Sequence, residues 1–139
     1  MKLTISDPKT SKSFSVEADD KTSLYFLNKK IKDEVELSFI EPGMKGVITG
    51  GSNKQGFPML SSLDLVGTKR ILSKGGVGFK PTRKGERRKK RVAGRIVDNN
   101  IQQVNIKLTA GTTNVLIEKY SKKEEKKEET FPQSVSKRK

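Results

Sequence analysis

Between Lys69 and Arg95 the chain places twelve basic residues and one acid in 27 positions. The cations are Lys69, Arg70, Lys74, Lys80, Arg83, Lys84, Arg87, Arg88, Lys89, Lys90, Arg91 and Arg95, and the single acid is Glu86. Lysine supplies a compact point charge, whereas arginine supplies a planar fork that pairs bidentately with phosphate and stacks on exposed bases. At this density the positive potential is strong and the cations repel one another unless an anionic partner supplies counter-charge. The chemistry on offer is the binding of a polyanion, not the making or breaking of bonds. A solvated face or an import address is the bland alternative, since runs such as Arg87–Arg91 match that pattern too readily. Against it stand the lone opposing acid and the confinement of every arginine to residues after Val66.

A second stretch, GGSNKQGFPM at residues 50–59, carries Gly50, Gly51 and Gly56 with Lys54 and Gln55. Glycine permits positive φ and close backbone approach, so such a loop could cradle a phosphate through its N–H groups. The nucleotide-binding pattern is not met, because Lys54 sits between Asn53 and Gln55, and Pro58 interrupts the segment where a helix would have to start. Two readings stay open: a tight turn between strands with Pro58 at a sheet edge, or a turn whose Lys54 touches an RNA backbone. Phe79, beside the basic span, either joins the core next to Val77 or stacks on a base.

Composition removes most enzyme chemistries. The chain of 139 residues has no Cys and no His. It therefore lacks a disulfide framework, a thiol nucleophile, the common zinc ligands and the usual proton shuttle near neutral pH. No catalytic residue, metal or cofactor is expected, and near the charge only Glu86 and Asp98 offer carboxylates. Residues up to Asp64 hold nine lysines and nine acids, so the net charge of +14 falls in the second half. No apolar run is long enough to cross a bilayer, and no amphipathic helix with a broad apolar face accompanies the charge. A soluble intracellular protein is expected, with neither a membrane nor a small-molecule substrate as partner.

The elements that must position these cations are mostly short strands. Met1, Leu3 and Ile5 alternate with polar residues, as do Phe14, Val16 and Ala18, which predicts a hairpin. Asp19 and Asp20 open a helix to about Lys30, with Leu24, Leu27 and Ile31 on its apolar face. Val35, Leu37 and Phe39 alternate before the turn at Glu41-Pro42-Gly43, and Val47, Ile48 and Met59 mark extended pieces on either side of the glycine loop. Arg70–Leu72 and Val92–Val97 are β-prone and flank the basic run, which therefore belongs to the fold. Asp98-Asn99-Asn100 then turns the chain into Val104, Ile106 and Leu108, which reads as a hairpin with residues 92–97. The fold class is all-β: a small barrel-like domain over residues 1–120 with one short helix. Residues 121–139 form a charged tail whose four-apart pairs are like-charged as a helix, which predicts disorder when free.

KQGFPM at 54–59, SKGGVGFKPTRKGERRKKR at 73–91 and GRIVD at 94–98, with the opening MKLTISDP, closely resemble ribosomal protein S6 of the eukaryotic and archaeal type. That family is distinct from the bacterial ribosomal protein sharing the number. The resemblance implies a β-barrel-like domain that binds ribosomal RNA of the small subunit, beside neighbouring ribosomal proteins, without catalysis and in the cytoplasm. It puts the family's basic loop on Lys74, Lys80, Arg83, Arg87, Arg88, Lys89, Lys90 and Arg91, and its glycine loop on Gly50, Gly51, Lys54, Gln55 and Gly56. Eukaryotic members continue into a long basic helix and a serine-rich tail that kinases phosphorylate. This chain ends at Lys139 after a Lys/Glu repeat, so the short form is expected to be archaeal-like. A free nucleic-acid-binding barrel acting as a regulator is the alternative, which would more naturally show a recognition helix or a dimer interface.

Overall fold

The computed structural model describes residues 1–111. The order is β1 (Lys2–Asp7), β2 (Lys12–Glu17), α1 (Asp20–Phe26), β3 (Glu34–Glu36), β4 (Lys45–Asn53), β5 (Thr68–Ser73), β6 (Arg88–Ala93) and β7 (Ile101–Ala110). One five-stranded sheet runs β2-β1-β7-β4-β3, and β5 and β6 form a second, two-stranded sheet. The architecture is mostly strand with one short helix, as the alternating pattern predicts. β2 and β3 are the two edges of the larger sheet, and no closed barrel is found among the described residues. The boundary at residue 120 and the tail at 121–139 lie outside the described residues.

Period-two alternation builds the larger sheet. Leu3 and Ile5 of β1 lie opposite Val104 and Ile106 of β7 in parallel register, and Ile48 of β4 meets Ile106 from the other side. All five are fully buried, and each such side chain contributes about 1.5–3 kcal/mol relative to exposure. The predicted first hairpin is present, with Leu3 opposite Val16 and Ile5 opposite Phe14. Buried Asp7 stops β1 at its turn: its Oδ1 accepts the Lys9 N–H at 2.9 Å and its Oδ2 the Thr10 hydroxyl at 3.1 Å.

Four expectations are corrected. α1 ends at Phe26 rather than Lys30, because Asn28 turns left-handed at φ 63°. The next residues pair with the segment after β6: Asn28 N donates to Val97 O at 3.0 Å, and Ile31 N to Arg95 O at 3.0 Å. Its core-facing side is also different, since Leu24 is 66% exposed while Phe26 is fully buried; tertiary packing, not the leucine spacing, selects the face. Phe39 is exposed because β3 stops at Glu36. The hairpin between residues 92–97 and 104–108 does not form. The Asp98–Asn100 turn exists, with Ile101 N donating to Asp98 O at 3.1 Å, but β1 and β4 occupy both edges of β7 and bury its apolar face.

The fourth correction concerns the glycines. Gly50 and Gly51 lie inside β4, not in a loop, because β4 must come close to its neighbours there. A Cβ on Gly51 would collide with the Gln103 carbonyl oxygen and sit 3.1 Å from the Met59 sulfur. Met59 N donates to Gly51 O at 2.9 Å, Ala93 N to Pro58 O at 2.9 Å, and Leu60 N to Ala93 O at 3.0 Å. Residues 58–60 thus join β4 to β6, and with them the larger sheet to the basic hairpin. Gly51→Ala should therefore lower the melting temperature, by about 1–3 kcal/mol of stability. Gly50→Ala, whose Cβ meets nothing within 4 Å, should leave it unchanged or raise it slightly. Thermal denaturation of the two variants side by side checks the assignment.

Candidate nucleic-acid interface

The basic span is not a loop between strands throughout. Arg88–Arg91 are the first four residues of β6, and Lys69 and Arg70 lie on β5. The antiparallel register puts Arg70 opposite Arg91, Leu72 opposite Lys89, Ile71 opposite Lys90 and Ser73 opposite Arg88. Directly opposed residues share a face, and successive residues alternate faces. One face of the ribbon therefore carries Arg70, Lys89 and Arg91, and the other carries Lys69, Arg88 and Lys90. Like charges directly opposite, as at Arg70 and Arg91, are destabilising by a few tenths of a kcal/mol or more, roughly. The ribbon accepts that cost on a surface where every one of these six cations is exposed.

Between the strands, Lys74, Lys80, Arg83, Lys84 and Arg87 extend the charge along residues 74–87, all exposed. This connection is folded by glycine and one aromatic. Gly76 and Gly78 take φ of 106° and 80°, which only glycine adopts without strain. They bring Phe79 back to a bridge with Gly76, and Phe79 is 8% exposed. Of the two readings for Phe79, the core one holds. The Lys90 ammonium lies 5.9 Å from the Phe79 ring centroid, so the buried ring also steadies a strand cation.

Glu86 is a loop organiser. Its Oε2 accepts the N–H of Thr82 at 2.9 Å and of Arg83 at 3.4 Å, and its Oε1 meets Arg88 Nε at 2.6 Å. The Thr82 hydrogen bond leads in holding its carboxyl below the usual carboxylate range, with the Arg83 N–H and the Arg88 charge adding to it and desolvation opposing. Arg95 is similarly engaged: its Nε and Nη2 donate to Asp64 Oδ1 and Oδ2 at 3.0 and 2.7 Å. Arg88 and Arg95 thus spend part of their forks inside the chain. Lys69, Arg70, Lys74, Lys80, Arg83, Lys84, Arg87, Lys89, Lys90 and Arg91 form no salt bridge among the described residues.

The turn in the glycine stretch is narrower than the sequence suggests. Buried Asn53 accepts the N–H groups of Gln55 at 3.0 Å and Phe57 at 2.8 Å on its Oδ1, which closes Lys54, Gln55 and Gly56 into a tight turn. Gly56 takes φ 83°. Pro58 bridges to Ser52 and passes the chain to β6, so the stretch is a turn, with Lys54 and Gln55 exposed on it. Phe57 places its ring 5.7 Å from the Arg91 guanidinium carbon. The two motifs, separate in sequence, meet at this contact. Reading residues alone missed Phe57, although an aromatic shortly after a lysine turn is a signal that could have been followed.

Because Glu86 is held below its ordinary value when folded, its contribution is complete above the unfolded carboxylate pKa and is lost as pH falls through the lowered one. The Thr82 amide resonance should therefore titrate below the usual carboxylate range. In Glu86→Gln that titration should vanish, while the resonance at neutral pH moves little. Amide shifts followed by NMR across the acid range check both.

Comparison with known proteins agrees with the motifs. Residues 1–120 match the family described as Ribosomal protein S6e. Among the relatives, the "Small ribosomal subunit protein eS6" of Methanoregula boonei is 37% identical over 99% of this chain and 98% of its own length. The protein of that name from Methanosphaera stadtmanae is 38% identical over 92% of this chain and 98% of its own. The one from Archaeoglobus fulgidus is 33% identical over 89% and 98%. With a family match across most of its length, and with relatives aligned nearly end to end, this chain belongs to the ribosomal protein S6e family.

Proposed function

We propose that this protein is a structural constituent of the small ribosomal subunit, holding ribosomal RNA on the β5–β6 ribbon and the connection between its strands, with no catalytic step. The observation that carries the reading is the two-faced ribbon. Six exposed cations stand on its two faces, with Arg70 directly opposite Arg91, and such a repulsive arrangement gains from phosphates on both sides. A flat duplex would meet one face only, whereas folded RNA can enclose a projecting ribbon. The names of the archaeal relatives support the same setting. Neighbouring ribosomal proteins are the other partners, and the cytoplasm is the compartment. The backbone bridges at residues 28–31 with 95–97 and 58–60 with 93 support a barrel-like wrapping of the two sheets. Residues 1–120 are the RNA-binding domain and 121–139 a charged C-terminal tail.

The RNA-binding set is Lys54 with Lys69, Arg70, Lys74, Lys80, Arg83, Lys84, Arg87, Arg88, Lys89, Lys90 and Arg91. Arg95, bound by Asp64, holds the fold instead. Neutralised phosphates release counterions, so log affinity should fall with log salt by about 0.7–0.9 per phosphate contacted. Arg70→Ala with Arg91→Ala should weaken binding to small-subunit RNA and cut the salt slope by about 1.4–1.8. The melting temperature should hold or rise as the opposed charges go. Arg95→Ala should do the reverse, with stability down by about 0.5–1 kcal/mol and the slope kept. Sedimentation in low and moderate salt tests the setting: the protein should travel with the small subunit in both. Recovery at the top of the gradient in both salts would reject the ribosomal reading.

A further inference from the structure

We propose that a pocket beside the ribbon receives one unstacked guanine base of the bound RNA. This rests on the RNA-binding reading and adds a base-specific contact to its phosphate contacts. The pocket, about 230 Å³ in volume, lies between the turn after Asn53, the start of β5 at Thr68 and the turn at Asp98–Asn100. That is below the roughly 300 Å³ at which sites for drug-sized ligands begin, and suits a fragment such as a single base. Exposed Lys54 also lines it, adjoining the RNA-binding surface.

The polar groups in the pocket select the ligand. Asn53 is only 6% exposed. Its Oδ1 takes the Gln55 and Phe57 N–H groups at 3.0 and 2.8 Å, which fixes the amide and leaves Nδ2 as the end without an acceptor among the described residues. An amide fixed in this way presents a donor, not buried away from solvent, that is available to a ligand acceptor. Asp98 lines the pocket as well. Among the described residues its oxygens receive only the Asn100 N–H at 3.0 Å and the Asn100 side-chain amide at 3.4 Å, which orient the carboxylate without neutralising it.

A carboxylate repels phosphate, so beside RNA its attractive partners are base N–H groups. Guanine presents two adjacent donors, N1–H and the N2 amino group, next to the O6 acceptor. Adenine and cytosine present one amino group beside ring acceptors, and uracil one imino group between two carbonyls. An anionic acceptor near a free amide donor and an ammonium therefore matches guanine: Asp98 takes N1–H and N2–H, and Asn53 Nδ2 with Lys54 takes O6. Thr68, at the start of β5, also lines the pocket.

Fluorescence anisotropy of the full chain with the pentaribonucleotides UUGUU, UUAUU and UUUUU tests this at one salt concentration. UUGUU should bind about tenfold tighter than the other two, and only UUGUU should shift the amide resonances of Thr68 and Asn100. Asp98→Asn keeps an acceptor for the Asn100 N–H but removes the charge and one acceptor. It should bring UUGUU to the level of UUUUU without weakening UUUUU. Equal binding of all three with a normal salt slope would overturn the pocket and leave the ribbon reading standing. Absence of salt-dependent binding to any would overturn both. UUAUU binding as tightly as UUGUU would overturn the guanine assignment. Guanosine monophosphate competing as well as the pentamer would make a free nucleotide, not RNA, the occupant. The comparison among the three oligonucleotides stands on the unaltered protein, so a misfolded variant would not shelter the proposal.

Discussion

The structure depends on the backbone seam at Ala93. Its N–H donates to Pro58 O and its carbonyl accepts from Leu60 N, while the next residue, Gly94, donates to Gly67 O at 2.9 Å. A Cβ on Gly94 would run into the Leu65 carbonyl, so the chain passes here only as glycine. Without the seam, β5 and β6 would be an isolated two-stranded ribbon, which is at best marginal in water. Cations opposed across it would lower even that. Anchored through residues 58–60 to β4, the ribbon instead draws on the core in which Leu3, Ile5, Ile48, Val104 and Ile106 are fully buried.

β6 shows how one six-residue strand serves both ends of this arrangement. Its first four residues, Arg88–Arg91, are exposed, and its last two, Val92 and Ala93, are 1% exposed. The strand does not alternate inside and outside as a half-buried strand would; it changes along its length from exposed surface to core. Two aromatics stand near that transition, Phe79 by Lys90 and Phe57 by Arg91. The ring faces attract the cations while the rings occupy the step between surface and core. The two sequence motifs are thus parts of one device, the glycine stretch supplying the anchor and Phe57, the basic stretch supplying the charge.

The parts legible in the sequence were those with local causes. Alternation in residues 2–17 fixes a hairpin because side-chain burial repeats every two residues. The charge asymmetry identified the ribbon's cations without any structure. The illegible parts depended on long-range pairing. The turn at Asp98–Asn100 is real, yet its two arms do not pair, because β7 gains more from Leu3, Ile5 and Ile48 than from residues 92–97. The leucine spacing of α1 misled because the chain leaves the helix at Leu27 to pair with Val97 and Arg95. Gly50 and Gly51 looked like loop residues, but only Gly51 is required to be small, and by Gln103, a residue 52 positions away.

The acids of the basic half complete the logic. From residue 64 to residue 111 the chain has three, Asp64, Glu86 and Asp98. Each is used close to home: Asp64 grips Arg95, Glu86 caps the N–H groups of Thr82 and Arg83, and Asp98 holds Asn100. Only Arg88 and Arg95, which brace the two ends of β6, find a carboxylate among the described residues of this half. The counter-charge is thus placed where it fixes backbone geometry, and the cations on the faces of the ribbon are left with their charge directed outward. A surface selected for the stability of the isolated domain would intersperse acids among those lysines and arginines. No such acid stands in residues 69–85 or 87–95, so within the described residues most of the ribbon's charge is left uncompensated, as the proposed binding of a polyanion requires.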